Sequence, residues 1–110
     1  MSVHRLFGLR PGQKVVPDYL DCKFLNDQAA IWRDRCRGQA AALRTLRRSL
    51  GLQRDLRARY GIADDIRAAE GGLRESWRIY RRTQRDAGRL CRAYLARIAR
   101  EAAARERQAA

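Results

Sequence analysis

Residues 73–92 read LRESWRIYRRTQRDAGRLCR, and this stretch decides the fold. Leu73, Trp77, Tyr80, Gln84, Ala87 and Cys91 recur at alternating intervals of four and three, the period of an α-helix. One residue out of phase, Arg74, Arg78, Arg81, Arg85, Arg89 and Arg92 repeat with spacings of 4, 3, 4, 4 and 3. A one-residue offset is a rotation of roughly 100° about the helix axis, so an apolar face and a guanidinium face lie side by side. At 1.5 Å of rise per residue the cationic row is about 27 Å long. Like charges at such spacings repel by a few tenths of a kcal/mol per pair. Only Glu75 and Asp86 are close enough in sequence to relieve them. A row of phosphates would turn that repulsion into attraction and release counterions.

Working outward, the apolar series extends back to Ile66 and Ala69 and forward to Tyr94, Ile98 and Ala102. Asp64 or Asp65 can cap its start. The Gly71-Gly72 pair costs roughly 2 kcal/mol of helix propensity, which predicts a kink or a division there. The expected elements are therefore a short helix over 64–70 and a long one over about 73–107, ending in a helix-favouring tail of Ala, Arg, Glu and Gln. Further upstream, Ala29, Trp32, Cys36, Gln39, Leu43, Leu46 and Leu50 form a second stripe at spacings of three and four, interrupted only by Gln39. Asn26 or Asp27 can cap it and Gly51 can stop it, which predicts a helix over about 27–50. Leu52, Leu56 and Tyr60 suggest two more turns over 52–60, closed by Gly61. Residues 1–26 hold both prolines, Pro11 and Pro17, with Gly8 and Gly12, and read as an extended arm.

The expected fold class is thus all-α: an extended basic N-terminal arm (1–26), then a helical domain (27–110) built as a hairpin with one long C-terminal helix. A chain of 110 residues is the size of one domain. Two helices cannot surround a core, so the Leu/Trp/Tyr stripes call for a further layer, and no stable fold is expected of the free monomer. Trp32, Leu43, Leu46, Trp77 and Tyr80 are the residues expected to meet neighbouring proteins.

The formal charge is +13, and Lys14 and Lys23 are the only lysines among 25 basic residues. Arginine presents a planar fork that stacks on bases and grips phosphate in bidentate fashion. Residues 1–36 carry six bases against four acids, whereas residues 37–110 carry nineteen against eight. The polyanion-binding surface is therefore expected mainly in the C-terminal two thirds, with Arg5, Arg10 and Lys14 of the arm adding to Arg74, Arg78, Arg81, Arg85, Arg89 and Arg92. Structural RNA, with its irregular backbone, suits an arginine-lined helix and a basic arm. No zinc-finger spacing and no helix-turn-helix of the usual size favour sequence-specific DNA reading. An acidic protein surface or anionic lipid could also take the basic face.

Enzymatic chemistry has no scaffold in this sequence. His4 is the single histidine and sits in the arm, away from any nucleophile. Cys22, Cys36 and Cys91 are too scattered for a disulfide framework and read as small buried residues in a reducing compartment. A metal site made of these three with His4, or a Cys22–Cys36 disulfide, is chemically conceivable but lacks a close ligand pair. Phosphate-cradling glycine loops are absent, and no cofactor is expected. No run approaches the ~20 apolar residues that span a bilayer. Arg5, Arg10 and Lys14 among Leu6, Phe7 and Leu9, ahead of the first acid at Asp18, have the composition of an organelle-targeting segment.

Arg5-Leu6-Phe7-Gly8, Pro11, Lys14-Val15-Val16, Trp32, Thr45-Leu46-Arg47 and Leu50-Gly51-Leu52 together resemble the thirty-third mitochondrial small-subunit ribosomal protein family over about residues 4–55. That resemblance implies a structural RNA-binding subunit of a mitochondrial ribosome, on the matrix side, with ribosomal RNA and neighbouring proteins as partners. The family's Trp/Tyr-Tyr-Pro element is replaced here by Trp32-Arg33-Asp34, and its Lys/Gly-rich tail by a helical one. Leu50-Gly51-Leu52-Gln53-Arg54-Asp55 with Tyr60 is similar to the small helical matrix-side subunit of the cytochrome bc1 complex. Leu73-Arg74-Glu75, Trp77, Tyr80-Arg81 and Cys91-Arg92 faintly resemble a complex I accessory subunit, and Ile79-Tyr80-Arg81 is similar to the Leu-Tyr-Arg motif of mitochondrial assembly factors. The alternative expectation is therefore an accessory structural subunit of a respiratory complex, or a phage or viral structural component.

Overall fold

The computed structural model describes residues 18–110. Among them the chain is all-α, a helical hairpin of α1 (Tyr19–Leu52) and α2 (Leu56–Ala109). Of the expected arm, residues 1–17 lie outside the described residues, and with them His4, Arg5, Arg10 and Lys14.

The first correction concerns where α1 begins. It starts at Tyr19, so 19–26 is helix and not arm. Asp18 Oδ1 accepts a hydrogen bond from the Asp21 amide at 2.8 Å, and Asp21 Oδ2 accepts one from the Asp18 amide at 3.0 Å. This reciprocal arrangement is a capping box, which satisfies two of the amides that every helix start leaves unpaired. Asn26 and Asp27, plausible caps by composition, are interior to the helix. Asp27 instead accepts from Lys23 Nζ at 2.7 Å, one turn back, and this bond holds the Lys23 ammonium above its ordinary pKa.

The second correction concerns breaks in α2. The link between the helices is only 53–55, and α2 then runs without interruption through Gly61, Asp64-Asp65 and Gly71-Gly72. The separate helices expected over 52–60, 64–70 and 73–107 are one element. Asp55 is the cap, its Oδ2 accepting the Ala58 amide at 2.9 Å, while Gln53 Oε1 accepts the amides of Arg54 and Asp55. Arg59 closes the turn from the other side: its Nη1 donates to the carbonyls of Leu50 and Gln53, both at 2.9 Å. A guanidinium is well placed there, because the last carbonyls of a helix are unpaired and carry its negative end.

Two compact units divide the helices, one of residues 30–81 and one of residues 18–29 with 82–110. In the first, Cys36, Leu43, Ile66 and Ser76 are buried, flanked by half-buried Trp32, Gln39, Leu46, Leu50, Ala69, Leu73 and Tyr80. Arg47 Nη2 and Glu70 Oε1, 3.5 Å apart, bridge the two helices. A Cβ added to Gly72 would sit 3.9 Å from Gln39 Nε2, so the glycine pair runs past α1 in a helical conformation. In the second unit Cys22, Leu25, Thr83, Asp86, Ala87 and Leu90 are buried, and Asn26 Nδ2 donates to Cys91 Sγ at 3.6 Å.

The third correction concerns which face of α2 is inside. Ser76 and Thr83 are buried in place of Trp77 and Gln84, and Leu90 is deeper than Cys91. Trp77 is 42% exposed and Ile98 38%. The expected series drifts at 3.6 residues per turn. The observed one keeps spacings of three and four strictly, Ile66, Ala69, Leu73, Ser76 and Tyr80 in one unit and Thr83, Ala87, Leu90, Tyr94 and Arg97 in the other. Within each unit this is the 3.5-residue repeat by which two packed helices keep their facing residues in register. Its consequence is a seam with polar members: Asp86 Oδ2 and Gln39 Oε1 are buried without a hydrogen-bond partner.

Candidate nucleic-acid interface

A long helix with a narrow seam leaves most of its circumference outside, and on α2 that surface is cationic. All six arginines of the row, Arg74, Arg78, Arg81, Arg85, Arg89 and Arg92, are exposed. Glu75 Oε2 pairs with Arg78 Nη1 at 3.3 Å and is the one acid engaged with the row among the described residues. The Arg81 guanidinium lies 5.1 Å from the centre of the Trp77 ring, a cation–π contact one turn along the helix. Asp86, the other acid in reach by sequence, is buried in the seam, so it does not neutralise the exposed row.

The two units each gather part of this charge. In the unit of 18–29 and 82–110, Gln84, Arg85, Gly88, Arg89 and Arg92 line a hollow open to solvent. A Cβ at Gly88 would come within 3.3 Å of Arg92 Nη1, a tight contact that a shift of a few tenths of an ångström in this exposed side chain relieves. In the unit of 30–81, a larger hollow of about 520 Å³ lies between α1 and α2. Arg33 and Arg37 from α1 and Arg74 from α2 line it, together with Trp77, Tyr80, Leu73, Cys36 and Ala40. Trp77 and Tyr80 are ring neighbours there, 5.5 Å between centroids and tilted by 53°. Arg33 and Arg37 are site residues that the sequence did not single out. Their signal is a four-residue spacing on the polar side of α1, which becomes informative only when α1 lies beside α2.

The residues expected to face partner proteins have different fates. Leu43 is buried, and Trp32, Leu46 and Tyr80 are half-buried within the unit of 30–81, whereas Trp77 stays exposed. Other large apolar side chains do reach solvent: Tyr19, Leu20, Ile31, Leu52, Leu56, Tyr60 and Leu95 are each more than half exposed. Cys22, Cys36 and Cys91 are free thiols, so the conceivable Cys22–Cys36 disulfide is absent. Among the described residues no group of three His, Cys, Asp or Glu is placed to hold a metal ion. Burial pushes the Cys36 thiol up, and burial together with a hydrogen bond to Cys91 pushes Cys22 up to about 11. Such thiols are protonated at neutral pH and poor nucleophiles. No helix of the described chain is long and apolar enough to cross a membrane.

What this arrangement can do is bind extended anions: it offers exposed guanidinium groups along α2, and in the unit of 30–81 an aromatic hollow beside Arg74. Comparison with known proteins adds no assignment, because no family model, no curated protein and no solved structure matches this chain.

Proposed function

We propose that this protein is a structural RNA-binding subunit of a large ribonucleoprotein. The observation that supports it is the exposed row of six arginines on α2, relieved among the described residues by one ion pair, at Arg78. A row of guanidinium groups along one helix face matches a row of phosphates, and bidentate pairing with counterion release supplies the affinity against the rotamer entropy the arginines lose. Structural RNA fits better than duplex DNA, since a row of arginines suits contact with an irregular phosphate backbone. The N-terminal resemblance directs the proposal further, to a mitochondrial ribosome, with the arm residues Arg5, Arg10 and Lys14 as additional phosphate contacts.

The test is an RNA-binding titration of the full chain against the triple variant Arg74→Gln, Arg81→Gln, Arg89→Gln over a range of salt. Binding should weaken, and the slope of log K against log salt should flatten by about 2, at about 0.7 per lost phosphate contact. Equal affinity and equal slope for the two proteins would remove the row from the interface. A second reading, an accessory subunit of a respiratory complex, draws on the exposed apolar side chains Leu52, Leu56 and Tyr60. Copurification separates the two: ribosomal RNA with the first, an inner-membrane complex resistant to nuclease with the second.

A further inference from the structure

We infer that the hollow between α1 and α2 in the unit of residues 30–81 is a pocket for one unstacked nucleotide of the bound RNA, an inference that rests on the RNA-binding reading above. The hollow combines two chemistries that few ligands share. Leu73, Trp77 and Tyr80 line it with apolar and aromatic surface, and Arg33, Arg37 and Arg74 line it with cationic side chains, of which Arg33 Nε also pairs with Asp34 Oδ1 at 3.4 Å. No acidic side chain lines it. A nucleotide carries a flat π-face and an anionic phosphate in one residue, so it satisfies both at once. Single-stranded RNA is recognised in this way, by bases splayed out onto aromatic side chains and arginine planes.

The volume of about 520 Å³ lies within the range of small-ligand sites. The hollow is open to solvent, which admits a base swinging in from a strand. An acyl chain gains most where a tunnel encloses it along its length, and an acidic peptide side chain brings no flat apolar body for Trp77. Position argues the same way. Arg74 belongs both to the hollow and to the exposed row of α2, so a backbone lying on that row passes the mouth of the hollow. The row then supplies affinity without regard to sequence, and the hollow holds the strand in register by one base. With Ser76 buried in the seam, Trp77 keeps 42% of its surface exposed, between the Arg81 guanidinium and the Tyr80 ring.

Trp32 and Trp77 are the only tryptophans, which makes the test optical. In the full chain carrying Trp32→Phe, Trp77 is the sole indole. It is titrated with a single-stranded RNA 12-mer and with an abasic strand of the same length, helicity being followed by circular dichroism. RNA should produce a saturable loss of Trp77 emission, and the abasic strand should bind with no such loss. Trp77→Leu should weaken RNA binding about ten-fold, the size of one lost base–aromatic stack, and leave abasic-strand binding unchanged. Trp77→Phe, which keeps a ring, should restore most of it. RNA binding with undiminished Trp77 emission, or equal effects of Trp77→Leu on both strands, would overturn the pocket while leaving the RNA-binding reading intact. Failure of both strands to bind would overturn both. Sodium oleate is the remaining probe: if it, and not RNA, quenches Trp77, the occupant is an acyl chain and the inference is wrong.

Discussion

Leu25 is fully buried, and the rest of the apolar interior among the described residues is small: Cys22, Cys36, Leu43, Ile66, Ala87 and Leu90. With so few buried groups, each one matters. Leu25→Ala should lower stability by about 2–3 kcal/mol, the low end for a buried leucine because a two-helix seam can partly collapse into the gap; urea unfolding followed by circular dichroism measures it. Cys22 adds a pH dependence whose sign is fixed. Its thiol is raised to about 11 by burial and by Cys91, with Asp21 and Asp18 adding to the effect. The folded chain therefore holds a proton that the unfolded chain releases near pH 9. The resulting stabilisation is complete below about pH 9 and is lost between there and about 11. Cys22→Ala should flatten that alkaline limb in thermal melts recorded from pH 8 upward. Asp86 works in the opposite direction. Its Oδ2 is buried without a partner, so Asp86→Ala should raise stability by roughly 1 kcal/mol, and a lower melting midpoint in that variant would show that the carboxylate has a favourable role.

At the scale of the element, α1 and α2 are set by their caps more than by their glycines. The Asp18–Asp21 box begins one helix and Asp55 the other, each three residues from the amide it serves. Gly61 and Gly71 lie inside α2 with open space where a Cβ would project, and neither adopts a left-handed backbone. They lower helix propensity and gain nothing sterically in return. Gly61→Ala and Gly71→Ala should each raise the unfolding free energy by up to about 1 kcal/mol in the same urea assay. A gain at both sites would establish that α2 is continuous in solution, since a true kink at Gly71 would make alanine costly there. The α1 stripe from Ala29 to Leu50 is legible from spacing alone, because its apolar residues already alternate at three and four. The α2 stripe is not. Trp77 outranks Ser76 in hydrophobicity, yet the position facing α1 is fixed by the 3.5-residue register of the pair, and the smaller side chain suits a close approach of backbones.

At the scale of the whole molecule, the balance is between a thin seam and a large positive charge. A formal +13 on 110 residues opposes any compact state through self-repulsion, and polyanions should reverse it. Inorganic polyphosphate at about 100 times its Kd should stabilise the fold by at most about 2.7 kcal/mol, less whatever it gains by binding the unfolded cationic chain, seen as a higher thermal midpoint that falls back as sodium chloride is added. A midpoint indifferent to polyphosphate would mean that folding and anion binding are uncoupled. The sequence by itself determined what is local and periodic: the all-α class, the α1 stripe and the six arginines sharing one side of α2. Spacing is enough for these, since helical geometry converts it directly into a face. Only the tertiary structure decided that Ser76, Thr83 and Asp86 turn inward, that Trp77 turns out, and that Arg33 and Arg37 join Arg74 around one hollow. Those outcomes depend on which helix lies opposite and in what register, an interaction between residues about 40 to 65 positions apart that no local pattern records.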